Sequence, residues 1–297
     1  MSVELSFFRT ITDPHSVTTA INSGRTFPEF MDQRVETYKP QIDLFAELVN
    51  SSESSAELLE KIRTPKAFDK DTRMSLLKLF RRCVSPVCDT EATKKITKTP
   101  TSVFVDNYGY TFKAIDTLKD QFSDISDDKY AALSALLGEY DSRGEQGYIL
   151  TDMFFNWVEE QFDGKLTIEG PRGAGKDIQL NEIFTDFDSD YPCDFVIKDA
   201  DSKAVLAVGF ARYDSTRGGS QSDDRTGGNN DKVNKAEAYC ARSGNNFKII
   251  FLADGPGLVH GDTWEETCSL DGRWGGNVRV STLKTAEDRL TSEWLNS

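Results

Sequence analysis

The hydrophobic periodicity of this chain changes near residue 147, and that change limits the folds open to it. From about residue 27 to residue 139 apolar residues recur at three- and four-residue spacing, in FPEFMDQRVETYKPQIDLFAELVNS, SAELLEKIRT and YAALSALLGEYDS. That spacing predicts amphipathic helices. TRMSLLKLFRRCVSPVCD reads as a further short helix with a basic face, stopped near Pro86. Asp127 or Asp128 is placed to cap the helix that contains YAALSALL. After Gly147 one amphipathic helix, ILTDMFFNWVEEQF, leads into short β-rich runs: KLTIEG, DFVIKD, AVLAVGFARY and FKIIFLAD. A helix, DKVNKAEAYCARSG, lies among them. Helix, strand, hairpin, helix, strand is an α/β order built on a small mixed sheet. Turn-forming residues in IKDADSKAV put the bend of the hairpin near residues 201 and 202. The expected organisation is a mainly helical region over 1–140 and an α/β domain over 141–297.

Composition narrows the function. The N-terminus has no basic start and no continuous apolar run of the signal-peptide kind. No stretch approaches the roughly 18 apolar residues of a membrane span. Cys83, Cys88, Cys193, Cys240 and Cys268 are odd in number and scattered, which predicts reduced thiols in a cytoplasmic protein. His15 and His260 are too far apart to suggest zinc, and the Cys83/Cys88 pair lacks a second pair. Net charge is −14, of which residues 141–297 carry −11. A bulk balance of that sign disfavours passive phosphate binding but leaves room for a metal site, which needs carboxylates.

Residues 170–177, GPRGAGKD, match the first seven positions of a phosphate-cradling P-loop. The eighth position calls for a Ser or Thr hydroxyl on Mg²⁺, and Asp177 stands there instead. The following IQLNEIFTDFDSDYPCD is acidic and soon reaches Pro192, so no long helix is expected to receive a nucleotide phosphate. An NTPase is the weaker reading, and no nucleotide cofactor is expected.

The hairpin PCDFVIKDADSKAVLAVGFARYD is better placed for chemistry. Asp194 opens its first strand, and a turn centred at 201–202 sets it across from about Gly209. Together with the helix RGEQGYILTDMFF, the opening DFVIK and the late strand FKIIFLADGPG, this arrangement resembles the PD-(D/E)XK type II restriction endonucleases over roughly residues 140–285. In order and spacing it is similar to the restriction enzymes that cut at GATC. The string GFARYDSTRGGSQSDDRTGGN resembles a signature of one subfamily. The resemblance implies a restriction-endonuclease-like small mixed sheet flanked by helices, and Mg²⁺-dependent, site-specific hydrolysis of double-stranded DNA. A palindromic site would imply a homodimer.

It further implies Asp194 as a metal ligand. Where the family has Glu-x-Lys this chain reads Gly209-Phe210-Ala211. The missing acid is then sought at Asp152 on the preceding helix, or at Asp177 or Glu182, and the missing base at Lys176. Arg212 and Asp214 follow on the strand, on the face opposite to 209 and 211 by alternation. The metal set is Asp194, Asp152 and Asp177. The polar stretch from Asp214 to Lys232 reads as a loop reaching into a groove, with Arg217, Gln221, Arg225, Asn229, Asn230 and Lys232 as DNA contacts. A non-catalytic DNA-binding module on the same fold is the alternative that Gly209 and Ala211 suggest.

Overall fold

The computed structural model describes residues 6–22, 26–141, 144–216 and 222–297, with side chains omitted at 140 and 222–226. The chain divides into two compact units, one formed by residues 24–142 and one by 1–23 together with 143–297. The first segment of the chain therefore belongs to the C-terminal unit and not to the helical region, a correction to the 1–140 boundary.

The helical unit contains α1 (Glu29–Asn50), α2 (Ser55–Arg63), α3 (Lys70–Cys83), α4 (Thr90–Thr93), α5 (Thr101–Tyr108), α6 (Ile115–Phe122) and α7 (Asp127–Leu137). The apolar residues of these helices form one core around Ile42, Phe45, Leu58, Leu59, Leu76 and Phe80. α3 starts at Asp69, whose carboxylate accepts the amides of Asp71 and Thr72. The cap of α7 stands one residue ahead of the acids expected to fill that place. Ser126 is the boundary residue, and Asp127 and Asp128 sit in the first turn, where the helix dipole favours them.

The C-terminal unit runs α8 (Glu145–Gln161), β1 (Leu166–Glu169), β2 (Ile178–Gln179), α9 (Leu180–Ile183), β3 (Pro192–Cys193), β4 (Phe195–Asp199), β5 (Val205–Tyr213), α10 (Ser222–Ser243), β6 (Lys248–Asp254), α11 (Gly261–Leu270) and β7 (Val278–Ser281). Helix, strand, hairpin, helix, strand is present in the order the residues predict. The five-stranded sheet has the order β1-β4-β5-β6-β7. β4 runs antiparallel to both of its neighbours, β1 and β5, while β6 and β7 continue parallel to β5. A parallel neighbour needs a crossover, and α10 supplies it between β5 and β6.

Each face of the sheet is covered. Phe195, Ile197 and Ala207 pack with Leu150, Phe154, Phe155 and Val158 of α8. Val196, Val208 and Phe210 pack on the other side with Val233, Ala236, Tyr239 and Cys240 of α10. Strand alternation sorts these residues cleanly. α10 begins nine residues before the DKVNKAEAYCARSG segment. Among its described side chains the first in the apolar core is Val233, and the polar first turns extend from that packed half, because adding a residue to an existing helix costs far less than nucleating one. The polar stretch after Asp214 is thus helix from Ser222 onward rather than loop.

Candidate active site

The hairpin turns as expected: Asp199 Oδ1 accepts the amides of Asp201 and Ser202, at 3.2 and 2.7 Å. A bulge then alters its register. Lys198 pairs with Val205, but Ile197 pairs with Ala207, so Leu206 is an extra residue on β5. Beyond the bulge Phe195 faces Gly209, which brings Asp194 level with Phe210 instead of Gly209. A shift of one residue exchanges the two faces of a strand. Gly209 therefore points to the α8 side, where a Cβ would lie 1.9 Å from the Phe195 ring. Phe210 and Arg212 share the Asp194 side, and they, not Gly209 and Ala211, are the strand side chains facing that carboxylate.

Among the described residues Asp194 is hydrogen-bonded by backbone alone. Its amide donates to the Gly209 carbonyl at 2.9 Å, and its Oδ2 accepts the Ala211 amide at 2.8 Å. It opens onto a cavity of about 380 Å³ between the sheet and helices α10 and α11. The polar lining consists of Arg212, Asn229, Lys232 and Glu266, with Thr263 and Thr267 deeper in α11. Arg212 is held by Asp214 at 2.7 Å and by Glu266 at 3.5 Å. Asn229 donates to Glu266 at 2.9 Å. Lys232 is different: its ammonium lies 3.8 Å from the centre of the Phe210 ring, a cation–π contact beside Asp194.

Asp177 approaches from a second, two-stranded sheet. Ile178 pairs antiparallel with Cys193, so the residue before it comes level with the residue after Cys193, which is Asp194. Burial pushes the Asp194 carboxyl above its ordinary range, opposed by the Ala211 amide, and the charge of Asp177 adds to the rise while Lys232 counters it. Burial likewise pulls the Lys232 ammonium below the usual lysine value, against the attraction of Asp194. Two half-buried groups of opposite charge thus each bear an unrelieved desolvation cost.

The other sequence candidates lie elsewhere. Asp152 is on α8, which covers the opposite face of the sheet, and it pairs with Arg172 at 2.8 Å. Arg172 also binds Glu159 at 2.6 Å, so the arginine of GPRGAGKD fastens that loop to α8. Lys176 and Glu182 pair with each other at 3.3 Å and are exposed; neither lines the cavity. Of the loop candidates, Arg217 and Gln221 fall outside the described residues, as does the side chain of Arg225. Asn230 is engaged with Arg273. Asn229 and Lys232 reach the cavity itself, so Lys232, read from sequence as a DNA contact, stands beside the Asp194 carboxylate. Glu266 was not anticipated. Its signal was a buried-face position in the amphipathic segment GDTWEETCSL, which looks like ordinary helix without the fold.

After Asp177 come two strand residues and the four-residue α9, so no helix of useful length receives the GPRGAGKD loop. Among the described residues no three or more His, Cys, Asp or Glu gather into a metal-binding group, and the five cysteines are free thiols. Mg²⁺ usually takes only one or two carboxylates and completes its shell with water and substrate phosphate. Asp194 with Asp177 meets that minimum, and the raised pKa of Asp194 marks a carboxylate that a cation would relieve; Asp152 and its Arg172 partner do not contribute. Among the described residues no helix is long and apolar enough to cross a membrane. No protein-family model, curated protein or solved structure matches this chain.

Proposed function

We propose that the C-terminal unit is a Mg²⁺-dependent endonuclease of restriction type that hydrolyses phosphodiester bonds in double-stranded DNA. The observation that carries the reading is the pairing, in one cavity, of a strand-opening carboxylate with a half-buried ammonium from the crossover helix, with a second, exposed acid, Asp177, level with that carboxylate on the neighbouring two-stranded sheet. Metal-dependent phosphodiester hydrolysis uses an anionic cradle for a divalent cation and a positive group for the phosphate, and Asp194, Asp177 and Lys232 supply both kinds of charge. Support also comes from the element order and from the resemblance of DFVIK and GFARYDSTRGGSQSDDRTGGN to restriction enzymes.

In this reading Asp194 and Asp177 would hold the ion, which when bound makes a coordinated water more acidic and offsets charge on the scissile phosphate. Lys232 takes the part of the motif lysine missing from β5: seated on the Phe210 ring, its ammonium is available to a phosphate oxygen. Arg212 is less available, since Asp214 and Glu266 already bind it. A twofold dimer on a palindromic site belongs to the same proposal.

The test is cleavage of a mixed panel of phage and plasmid duplexes with Mg²⁺ by the parent protein, Asp194→Ala and Lys232→Ala. Cleavage by the parent and its loss, by about a hundredfold or more, in both folded variants is expected. One observation favours a second reading: Phe210 gives Asp194 an aromatic neighbour on β5 where a nuclease strand would give an acid. Duplex binding without any metal-dependent cleavage would select that reading, a DNA-binding module on the same fold.

A further inference from the structure

Between Lys61 and Lys98 the chain carries eleven lysines and arginines against four carboxylates, a surplus of seven positive charges, while the rest of the chain sums to −21. So steep a local reversal in an acidic protein calls for a partner of opposite charge. The structure separates the eleven by what they already do. Arg63 is 3% exposed and purely internal: its guanidinium donates to the carbonyls of Thr93 and Thr99 and to the Thr101 hydroxyl, at 2.6–2.9 Å. Lys61, Lys78, Arg82 and Lys94 are paired with Glu57, Asp141, Glu139 and Glu91. Arg73 binds the carbonyls of Thr64 and Phe68.

The others are Lys66, Lys70, Arg81, Lys95 and Lys98, all exposed and all without a carboxylate partner among the described residues. Arg63 and Arg73 decide where most of them stand. Through Thr93 and Thr99, Arg63 clamps both ends of the segment bearing Lys94, Lys95 and Lys98 to the end of α2, three residues from Lys66. Through Thr64 and Phe68, Arg73 holds the corner that carries Lys66 into Lys70 at the start of α3. Two buried or half-buried arginines thus gather exposed lysines from two stretches of sequence, 66–70 and 94–98, at one corner of the helical unit. Of the four acids of the segment, Glu91 is taken by Lys94 and Asp89 caps α4, while Asp69 and Asp71 flank Lys70 and offset part of its charge, which leaves the surplus at Lys66, Lys95 and Lys98.

We propose that this corner, centred on Lys66, Lys70, Lys95 and Lys98, docks the phosphate backbone of duplex DNA. Lysine ammonium groups on flexible stems suit phosphates, which fix position without reading bases. The proposal goes beyond the cavity of the C-terminal unit and does not need that cavity to be catalytic.

The experiment measures duplex binding by the full chain in EDTA, so that cleavage plays no part, over a range of salt. Lys66→Gln, Lys95→Gln and Lys98→Gln combined should lower the slope of log affinity against log salt by between two and three, at about 0.9 per lost phosphate contact, equally on any sequence. Lys119→Gln, Lys129→Gln and Lys165→Gln combined remove the same charge elsewhere and should leave the slope within about 0.5 of the parent. Lys95→Gln alone, with a loss of about 0.9, guards against a misfolded triple variant. A patch variant with the slope of the parent, or a control variant that falls as far, overturns the proposal. Loss of slope in a protein that never cuts DNA would retain this surface and remove the nuclease; cutting with an unchanged slope would do the reverse.

Discussion

A single carboxylate shows how the site and the stability of the fold pull against each other. The folded state raises the pKa of Asp194 through burial and the nearby Asp177. A group raised in this way contributes its full stability below its unfolded value, near 3.9, and loses it as pH rises through the native value. At neutral pH the ionised Asp194 is therefore a cost. Asp194→Asn keeps an acceptor for the Ala211 amide and removes the charge, so its melting temperature at pH 7 should exceed that of the parent by about 2 °C. The gain should shrink as pH is lowered toward 4, and a gain that grew on acidification would contradict the assignment. The thiols make a second residue-scale case. Burial raises all five, Cys83 to about 11 and Cys193 to about 12. Since the thiolate is the reactive form, a disulfide reagent at pH 8 should titrate almost none in the native protein and all five after unfolding.

Among elements, β5 is the most constrained. Its bulge at Leu206 decides which side chains meet Asp194, and its Gly209 leaves the space that the Phe195 ring occupies. Gly209→Ala should cost about 1–3 kcal/mol through overpacking, read as a lower urea midpoint with unchanged slope. A neutral result would mean that the ring has room to turn aside. The same crowding explains why an acid cannot stand at 209 in this chain: it would project into the apolar layer of α8.

At the scale of the molecule, residues 6–22 are part of the C-terminal unit. Phe8 is fully buried in its core, Asp271 accepts Ser6 Oγ and the Phe7 amide at 3.0 Å, and Asp254 accepts the Thr19 amide at 2.6 Å. The four tryptophans, Trp157, Trp264, Trp274 and Trp294, all lie in that unit, so their fluorescence reports on it alone. Phe8→Ala should destabilise the fluorescence-detected transition by about 3–5 kcal/mol. Helical circular dichroism should retain a component that melts as in the parent, since the core of the helical unit does not include Phe8. A single transition displaced equally by both probes would show that the two units unfold as one.

Local pattern alone was enough for α1, α2, α3 and α7, for the run of helix, strand, hairpin, helix and strand from α8 to β6, and for the hairpin turn, because each rests on spacing within ten or twenty residues; the shorter α4, α5 and α6 and the strand β7 left no such trace. Pro192 and DFVIK also marked a strand opening at Asp194, while its choice as a metal ligand came from the resemblance to restriction enzymes. Three matters depended on contacts between distant residues. The bulge moved the strand register by one and put Phe210 and Arg212 where Gly209 and Ala211 were expected. The two-residue pairing of Ile178 with Cys193 is too short to leave a periodic trace, yet it brings Asp177 beside Asp194. Lys232 and Glu266 reach the cavity only because α10 and α11 pack on one face of the sheet, while Asp152 is carried to the other by α8. Periodicity says which side of an element is apolar; which elements share a face of the sheet is decided by how the whole unit packs.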